Sequence, residues 1–297
     1  MAPASGPFEP RLVRQRKLRA APNFRKAAFL HRRVAADLAD RLEAIPRPFP
    51  QALALGGGGV FSEDVRDRPE LSARIGEIVE ADVASGIQID PEQLPFAAES
   101  FDLIVSPLAL HTVNDLPGAL IQIRRALRPD GLMLAALFGG ETLKELRLSL
   151  LEAESELTGG AGPRVAPFAD LQDVAVLLQR AGFALPAADR DTIIVRYAEP
   201  MRLLADLRAM GETAALRERS PRALSRRVLA RAFDIYRERF RDPDGRVRAT
   251  FEILTAAGWA PHESQQKPLK PGSARTRLAD ALKTEEQSAG ERAGDHD

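Results

Sequence analysis

The chain has 297 residues, enough for one large domain or a domain with an appendage. Basic and acidic residues balance at 42 each, which argues against a whole-protein electrostatic grip on nucleic acid or an anionic membrane. The absence of cysteine excludes disulfides, thiolate nucleophiles and cysteine-held metals. The four histidines (His31, His111, His262, His296) are too scattered to suggest a metal site, and no run is long enough to span a bilayer.

The first 33 residues hold nine Lys or Arg against one acid, Glu9. That composition fits either a transit-peptide-like leader or the start of a structured region. The basic run continues into residues 29–45, where Leu30, Val34, Leu38 and Leu42 recur at helical spacing, and arginine outnumbers lysine 36 to 6 overall, so the structured reading is preferred. Next come a short apolar strand with a glycine turn (51–59), a helix (62–74) and a strand (77–82).

Residues 94–140 form the most telling stretch. FDLIVS (101–106) suits a strand buried on both faces. In 115–127 the pattern becomes helical, with Asp115 as N-cap, Pro117 in the first turn, and Leu116, Leu120, Ile123 and Leu127 on one face. Pro129-Asp130-Gly131 reads as a turn, and LMLAALF (132–138) as a second buried strand. Two strands joined by a helical crossover are parallel, so the fold is α/β, a doubly wound sheet with an N-terminal helix and added C-terminal helices. Such sheets bind ligands beyond the strand C-termini, here near Ser106–His111 and Phe138–Glu141. Helices follow at 141–157, 170–183, 200–212 and 221–240, with strands at 191–198 and within 241–261. The expected organisation is a basic segment (1–28), a domain at 29–266 (cofactor core 49–140, helical and substrate part 141–266), and a tail (267–297) rich in Pro, Gly, Ser and charge that reads as disordered.

ALALGGGG (52–59) places Gly56, Gly57 and Gly58 between strand and helix, where a cofactor can lie against bare backbone. Asp82, 24 positions after Gly58, is placed to take ribose hydroxyls, and Asp90 an adenine amino group. Leu94 of the LPF turn and Ser106 at the strand end complete the expected cofactor set. No G-K-[ST] follows, which excludes a P-loop, and Val60-Phe61 interrupt the spacing of a dinucleotide site, so S-adenosylmethionine is favoured. A flexible linker is the alternative account of the glycines. His111, at a strand mouth, is the candidate catalytic residue, as proton acceptor or substrate orienter, beside the plainer reading of a loop histidine. Gly139, Gly140 and Glu141 are candidate substrate contacts, or a simple strand-to-helix turn. No metal site is expected.

The LPF turn, FDLIVSPLALH and LRPDG resemble class I S-adenosylmethionine-dependent methyltransferases of the methyltransferase-11 type. LHTVNDLP (110–117), FGGETLKELR (138–147), Met210-Gly211-Glu212 and GWAPHESQQKPLKPGSA (258–274) resemble, more narrowly, the methyltransferase-like assembly factors of respiratory complex I and their bacterial relatives. A more distant similarity is to the malonyl-carrier-protein methyltransferases of biotin synthesis. The resemblance spans about residues 8–275. It implies a seven-stranded sheet, S-adenosylmethionine binding, and a protein substrate from complex I, with His262 and Glu263 as further candidate substrate contacts. It also implies a choice of reaction, because the best-known eukaryotic member is described as an arginine hydroxylase. The sequence departs from the pattern at Ala54 (usually an acid), Val60 (usually glycine) and Thr112 (usually tryptophan). Asp82 and Asp90 lie only eight positions apart, too close for the usual crossover helix, so the second and third strands cannot both be conventional. Three readings follow: a methyltransferase, a cofactor-binding arginine hydroxylase, or an assembly chaperone with a degraded cofactor site. The expected location is the bacterial cytoplasm, or the mitochondrial matrix in a eukaryote, with no integral membrane segment and no nucleic-acid partner.

Overall fold

The computed structural model describes residues 6–219 and 223–266. The expected disordered tail, 267–297, and positions 220–222 lie outside those residues. The chain begins with α1 (Pro10–Ala27), α2 (Phe29–Glu43) and β1 (Phe49–Leu55), then α3 (Val60–Arg66), α4 (Pro69–Arg74), β2 (Ile75–Asp82) and β3 (Ile87–Gln88). It continues through β4 (Phe101–Pro107), α5 (Leu116–Ala126), β5 (Leu127–Phe138), α6 (Lys144–Thr158) and α7 (Leu171–Arg180). The last elements are β6 (Ala184–Tyr197), α8 (Pro200–Met210), α9 (Arg226–Phe240) and β7 (Val247–Trp259). All belong to one unit ending at His262, and a separate unit begins at Glu263.

The seven strands form one sheet in the order β3-β2-β1-β4-β5-β7-β6. Strands β1 to β5 pair in parallel, while β7 runs antiparallel to both β5 and β6. The apolar runs read from the sequence explain why both faces are covered. Along β4, Leu103 and Val105 enter one core and Ile104 the other; along β5, Leu132, Leu134 and Ala136 alternate with Met133, Ala135 and Leu137. Period-two projection sends successive residues to opposite faces, so a strand apolar at every position serves two cores. Helices α2, α3, α6, α8 and α9 supply one core, and α5 and α7 the other.

The capping signals act as expected. The Gly118 N–H donates to Asp115 Oδ1 at 2.8 Å, and the Asp173 N–H to Asp170 Oδ1 at 2.8 Å. Several expected elements differ, among them the strand expected at 191–198, which begins at Ala184. The helix expected over 62–74 is two, because Pro69 holds Arg68 extended (φ −119°, ψ 93°). The Pro129–Gly131 turn is absorbed into β5, with Asp130 at φ +61°. The helix expected from residue 141 starts at Lys144, after a turn that ends with Leu143 at φ +57°. The short link after β2 leaves β3 two residues long, paired only as Ala81↔Ile87 and Asp82↔Gln88.

Candidate functional site

The site is built where β1, β2 and β4 end. Gly56, Gly57, Gly58 and Gly59 all have positive φ, between +58° and +85°, which side chains rarely adopt. The Gly56 N–H donates to the Ala81 carbonyl at 2.7 Å, tying the turn to β2. The Gly58 N–H donates to Asp82 Oδ2 at 2.9 Å, and the Val83 N–H to Asp82 Oδ1 at 2.5 Å. Asp82 therefore holds the glycine turn itself, a role its sequence position does not announce.

Gly56, Asp82 and Asp90 line one hollow of about 860 Å³, open solvent included, with Leu55, Val83, Ile89 and Val113 as apolar walls and Thr112 at the side. Gly57 and Gly58 line an adjoining hollow of about 700 Å³, again with open solvent, and Asp82 and Lys17 border both. Helix α1 roofs the two hollows through Val13, Arg14, Lys17 and Phe24. A Cβ on Gly58 would lie 2.7 Å from the Phe24 ring, so the turn and its roof are in close contact. Leu94 and Ser106 border neither hollow. The Leu94 N–H donates to Gln122 Oε1 at 3.0 Å, and Ser106 is fully buried, its hydroxyl without a hydrogen-bond partner among the described residues.

The donor set suits an adenosine. A carboxylate has about four lone-pair directions, so Asp82 keeps acceptor capacity for hydroxyls beyond its two backbone bonds. Asp90, exposed at the rim, accepts the Glu92 N–H at 3.0 Å through Oδ1. The apolar walls between the two acids offer surface for a flat ring.

His111 follows β4 in a 3-10 turn (Leu110–Thr112) and lies behind the hollow rather than on its wall. Its ring packs 4.5 Å from Phe138 and 5.6 Å from Phe168. Its Nε2–H donates to Glu212 Oε2 at 2.8 Å. Glu212, just past α8, also meets Lys17 at 3.6 Å and His31 at 3.9 Å through Oε1, and its side chain is 5% exposed. Burial alone would push the Glu212 carboxyl up; the charges of His111 and Lys17, the His111 hydrogen bond and His31 outweigh it and hold the carboxyl well below its usual range. It is therefore an anion, and His111 Nε2 must carry the proton. Burial pushes His31 down to about 4, against the opposing pull of Glu212 and with the help of Lys17 and His111. His31 is thus neutral near pH 7, and Lys17 and His111 stabilise the carboxylate. Lys17, His31 and Glu212 were not anticipated as site residues. Only the Met210-Gly211-Glu212 block hinted at them, since nothing in spacing links residues 17, 31, 111 and 212.

Gly139, Gly140 and Glu141 sit at the mouth of β5 but border neither hollow. A Cβ on Gly139 would lie 2.4 Å from Glu252 Oε2, so the close approach this glycine permits is to a buried carboxylate of β7. The Glu141 N–H donates to that oxygen at 2.9 Å, and the exposed Glu141 carboxylate pairs with Lys144 at 3.0 Å. His262 also departs from expectation. Because β7 is antiparallel to β5 and Trp259 pairs with Leu132, His262 leaves the sheet at the end opposite His111. Glu263 belongs to the separate unit. Among the described residues there is no group of three or more His, Asp or Glu placed to hold a metal, and no helix long and apolar enough to cross a membrane.

The strand order, with a reversed β7 inserted beside β5 and a glycine turn after β1, defines a class I methyltransferase fold. A family profile described as a methyltransferase domain matches residues 67–135. The chain is 41% identical over 283 residues to the human protein "Arginine-hydroxylase NDUFAF5, mitochondrial", covering 90% of this chain and 81% of that one. It belongs to the family of these methyltransferase-like proteins. A malonyl-[acyl-carrier protein] O-methyltransferase from Halorhodospira halophila is 33% identical over 283 residues, covering 89% of this chain and 92% of that one. Among solved structures, the YcgJ protein of Bacillus subtilis matches with a TM-score of 0.47 at 16% identity, covering 77% of this chain and 98% of that one.

Proposed function

We propose that the chain is an S-adenosylmethionine-dependent enzyme that acts on a protein substrate connected with the assembly of respiratory complex I. The supporting observation is that Gly56, Asp82 and Asp90 border one hollow at the C-terminal mouth of a methyltransferase sheet. Asp82 would hold the ribose hydroxyls while fixing the glycine turn, Asp90 would accept from the adenine amino group, and Ile89 and Val113 would bracket the ring. When bound, S-adenosylmethionine supplies a methyl group on a positively charged sulfur. Transfer of that group depends mainly on placing a nucleophile in line, so the chain's contribution is orientation and exclusion of water. Thr112 and Val113 sit on the hollow's wall, and the Glu212–His111 pair behind them keeps that wall rigid. Leu94, Ser106, Gly139, Gly140 and Glu141 are given supporting rather than contact roles.

A second reading, hydroxylation of an arginine side chain, is favoured by the name of the 41%-identical human relative, an arginine hydroxylase. Calorimetric titration with S-adenosylmethionine tests the cofactor. Heat with a stoichiometry near one supports an enzyme, and no heat up to millimolar cofactor leaves an assembly protein without a ligand. Mass spectrometry of complex I subunits from cells with and without the gene then separates the reactions: a subunit heavier by one methylene supports methylation, and by one oxygen, hydroxylation. The proposed setting is the cytoplasm of a bacterium, or the mitochondrial matrix in a eukaryote.

A further inference from the structure

β2 has an open flank. It pairs with β1 along its whole length, but β3 meets it only at Ala81 and Asp82, so residues 75–80 have no outer strand among the described residues. The direction of the backbone groups follows from the bonds at its end. The Ala81 carbonyl accepts from Gly56 on the β1 side, and the Asp82 carbonyl accepts from the Ile89 N–H on the outer side. Alternation then turns the N–H and C=O groups of Gly76, Ile78 and Glu80 outward. This flank borders a broad hollow lined by Glu77, Ile78, Val79, Glu80, Ile87 and Arg66. Ile87 is 48% exposed, an apolar contact waiting beside unpaired backbone. Unprotected strand edges of this kind are templates for pairing with another chain.

We propose that this edge of β2 docks an extended segment of a partner protein carrying basic side chains, which adds to the sheet as a further strand. Charge argues for the chemistry. Neither Glu77 nor Glu80 forms an ion pair among the described residues, although Gln51 Nε2 donates to Glu77 Oε2 at 3.4 Å and the Glu80 carboxylate lies beside Gly59 and Arg25. Three residues apart on a strand, the two carboxylates lie on opposite faces, so they match a segment with basic residues at the same separation. Among the described residues Arg66 is the one cation lining the hollow. The same charges disfavour a second copy, since two such edges paired about a two-fold axis would bring four carboxylates into roughly 20 Å of strand. The turn at Gly86–Ile87 closes the edge at Glu80, whose carbonyl lies against Gly86, and limits the docked length to about six residues.

The test uses the full chain, labelled with ¹⁵N, and a seven-residue capped peptide of alternating threonine and valine with two lysines three positions apart. Two control peptides carry glutamates in place of the lysines, or N-methyl groups on alternate amides. The proposal expects saturable binding of the basic peptide and at least tenfold slower amide exchange at Gly76, Ile78 and Glu80. It expects at least tenfold weaker binding of the acidic peptide and none of the N-methylated one. Ile78→Pro should abolish binding while the fold survives, because that N–H faces away from β1. Glu77→Lys, an exposed change, should weaken the basic peptide about tenfold with an unchanged circular dichroism spectrum. Equal binding of acidic and basic peptides, or binding that leaves those three amides unprotected, would overturn the proposal. So would amides already protected in the monomeric chain, which would mean that the chain covers its own edge. A dimer in sedimentation that Ile78→Pro dissociates would assign the edge to a second copy.

Discussion

Glu212→Gln tests the buried cluster most directly. The substitution keeps the size of the side chain and an acceptor for His111 but removes the charge opposite Lys17. The Lys17–Glu212 separation is 3.6 Å, with the two side chains 15% and 5% exposed. At an effective dielectric constant near 20 the gross attraction over that distance is about 4–5 kcal/mol. Desolvation offsets much of it, and removing one partner of a buried pair typically costs about 3–5 kcal/mol, because the other charge is stranded. Lys17 retains some solvent, which places the expected loss at the lower end, about 3 kcal/mol. In a domain of this size that corresponds to a fall in Tm of roughly 6–12 °C. Scanning calorimetry and urea unfolding at pH 7.5 would read it. Lys17→Met in the same chain should recover part of the loss, with a coupling of about 2 kcal/mol between the two sites. If Glu212→Gln loses less than about 1 kcal/mol, or if the two losses simply add, the assignment of Glu212 as a charge-stabilised anchor of α1 is wrong.

His31 makes stability depend on pH. Its folded value, about 4, lies below the ordinary 6.5, so the unfolded chain binds the proton first. The associated stability is fully present above pH 6.5 and drains away as pH falls toward 4; urea midpoints should drop across that window by the equivalent of about 3 kcal/mol, and His31→Gln should flatten the curve. Asp82→Asn removes the charged acceptor of the Gly58 N–H; it should destabilise the chain by about 1.5–3 kcal/mol and weaken S-adenosylmethionine more than tenfold by calorimetry, whereas an unchanged affinity would remove Asp82 from the cofactor site. Gly139→Ala drives a methyl into the Glu252 carboxylate and should lower stability by about 2–3 kcal/mol without changing cofactor affinity, measured by the same two methods.

The parallel crossover around Phe101–Phe138 was legible because every element in it obeys local rules: period-two burial in β4 and β5, an Asx cap and an early proline in α5. That Gly56, Asp82 and Asp90 border one hollow follows for a related reason, since strand ends in this topology project to one side and two short helices and a strand set the spacing from the glycines to Asp82. Leu94 was expected from the LPF turn and Ser106 from a strand end, but the Leu94 N–H is taken by Gln122 and Ser106 is fully buried, so neither borders a hollow. His262 could not be placed, because the sequence does not state that β7 is reversed; one reversal moves the end of a 13-residue strand to the far side of the sheet. The Lys17–His31–Glu212–His111 cluster was invisible for the opposite reason. It draws on two helices, a 3-10 turn and the segment just past α8, and no periodicity spans them.

That cluster also gives the basic N-terminal composition a physical meaning. Lys17 reaches Glu212, Arg16 donates to the Thr213 carbonyl at 2.6 Å, Arg25 binds the Glu63 carboxylate, and Arg14 donates to Gln88 at 3.2 Å. These contacts run along α1 to the end of α8, to α3 and to β3, so the helix is pinned at several points over the glycine turn. Long basic side chains suit this work because their stems cover apolar surface while their heads reach outlying acceptors. Lys17, its side chain 15% exposed, is the one of the four that borders both hollows. Any ligand entering beside Asp82 would therefore meet the same ammonium that holds Glu212, and through it the ring of His111. Occupancy of the hollow and the order of the wall behind it are joined through one charge, so loosening α1 would disturb ligand affinity and stability together rather than one alone.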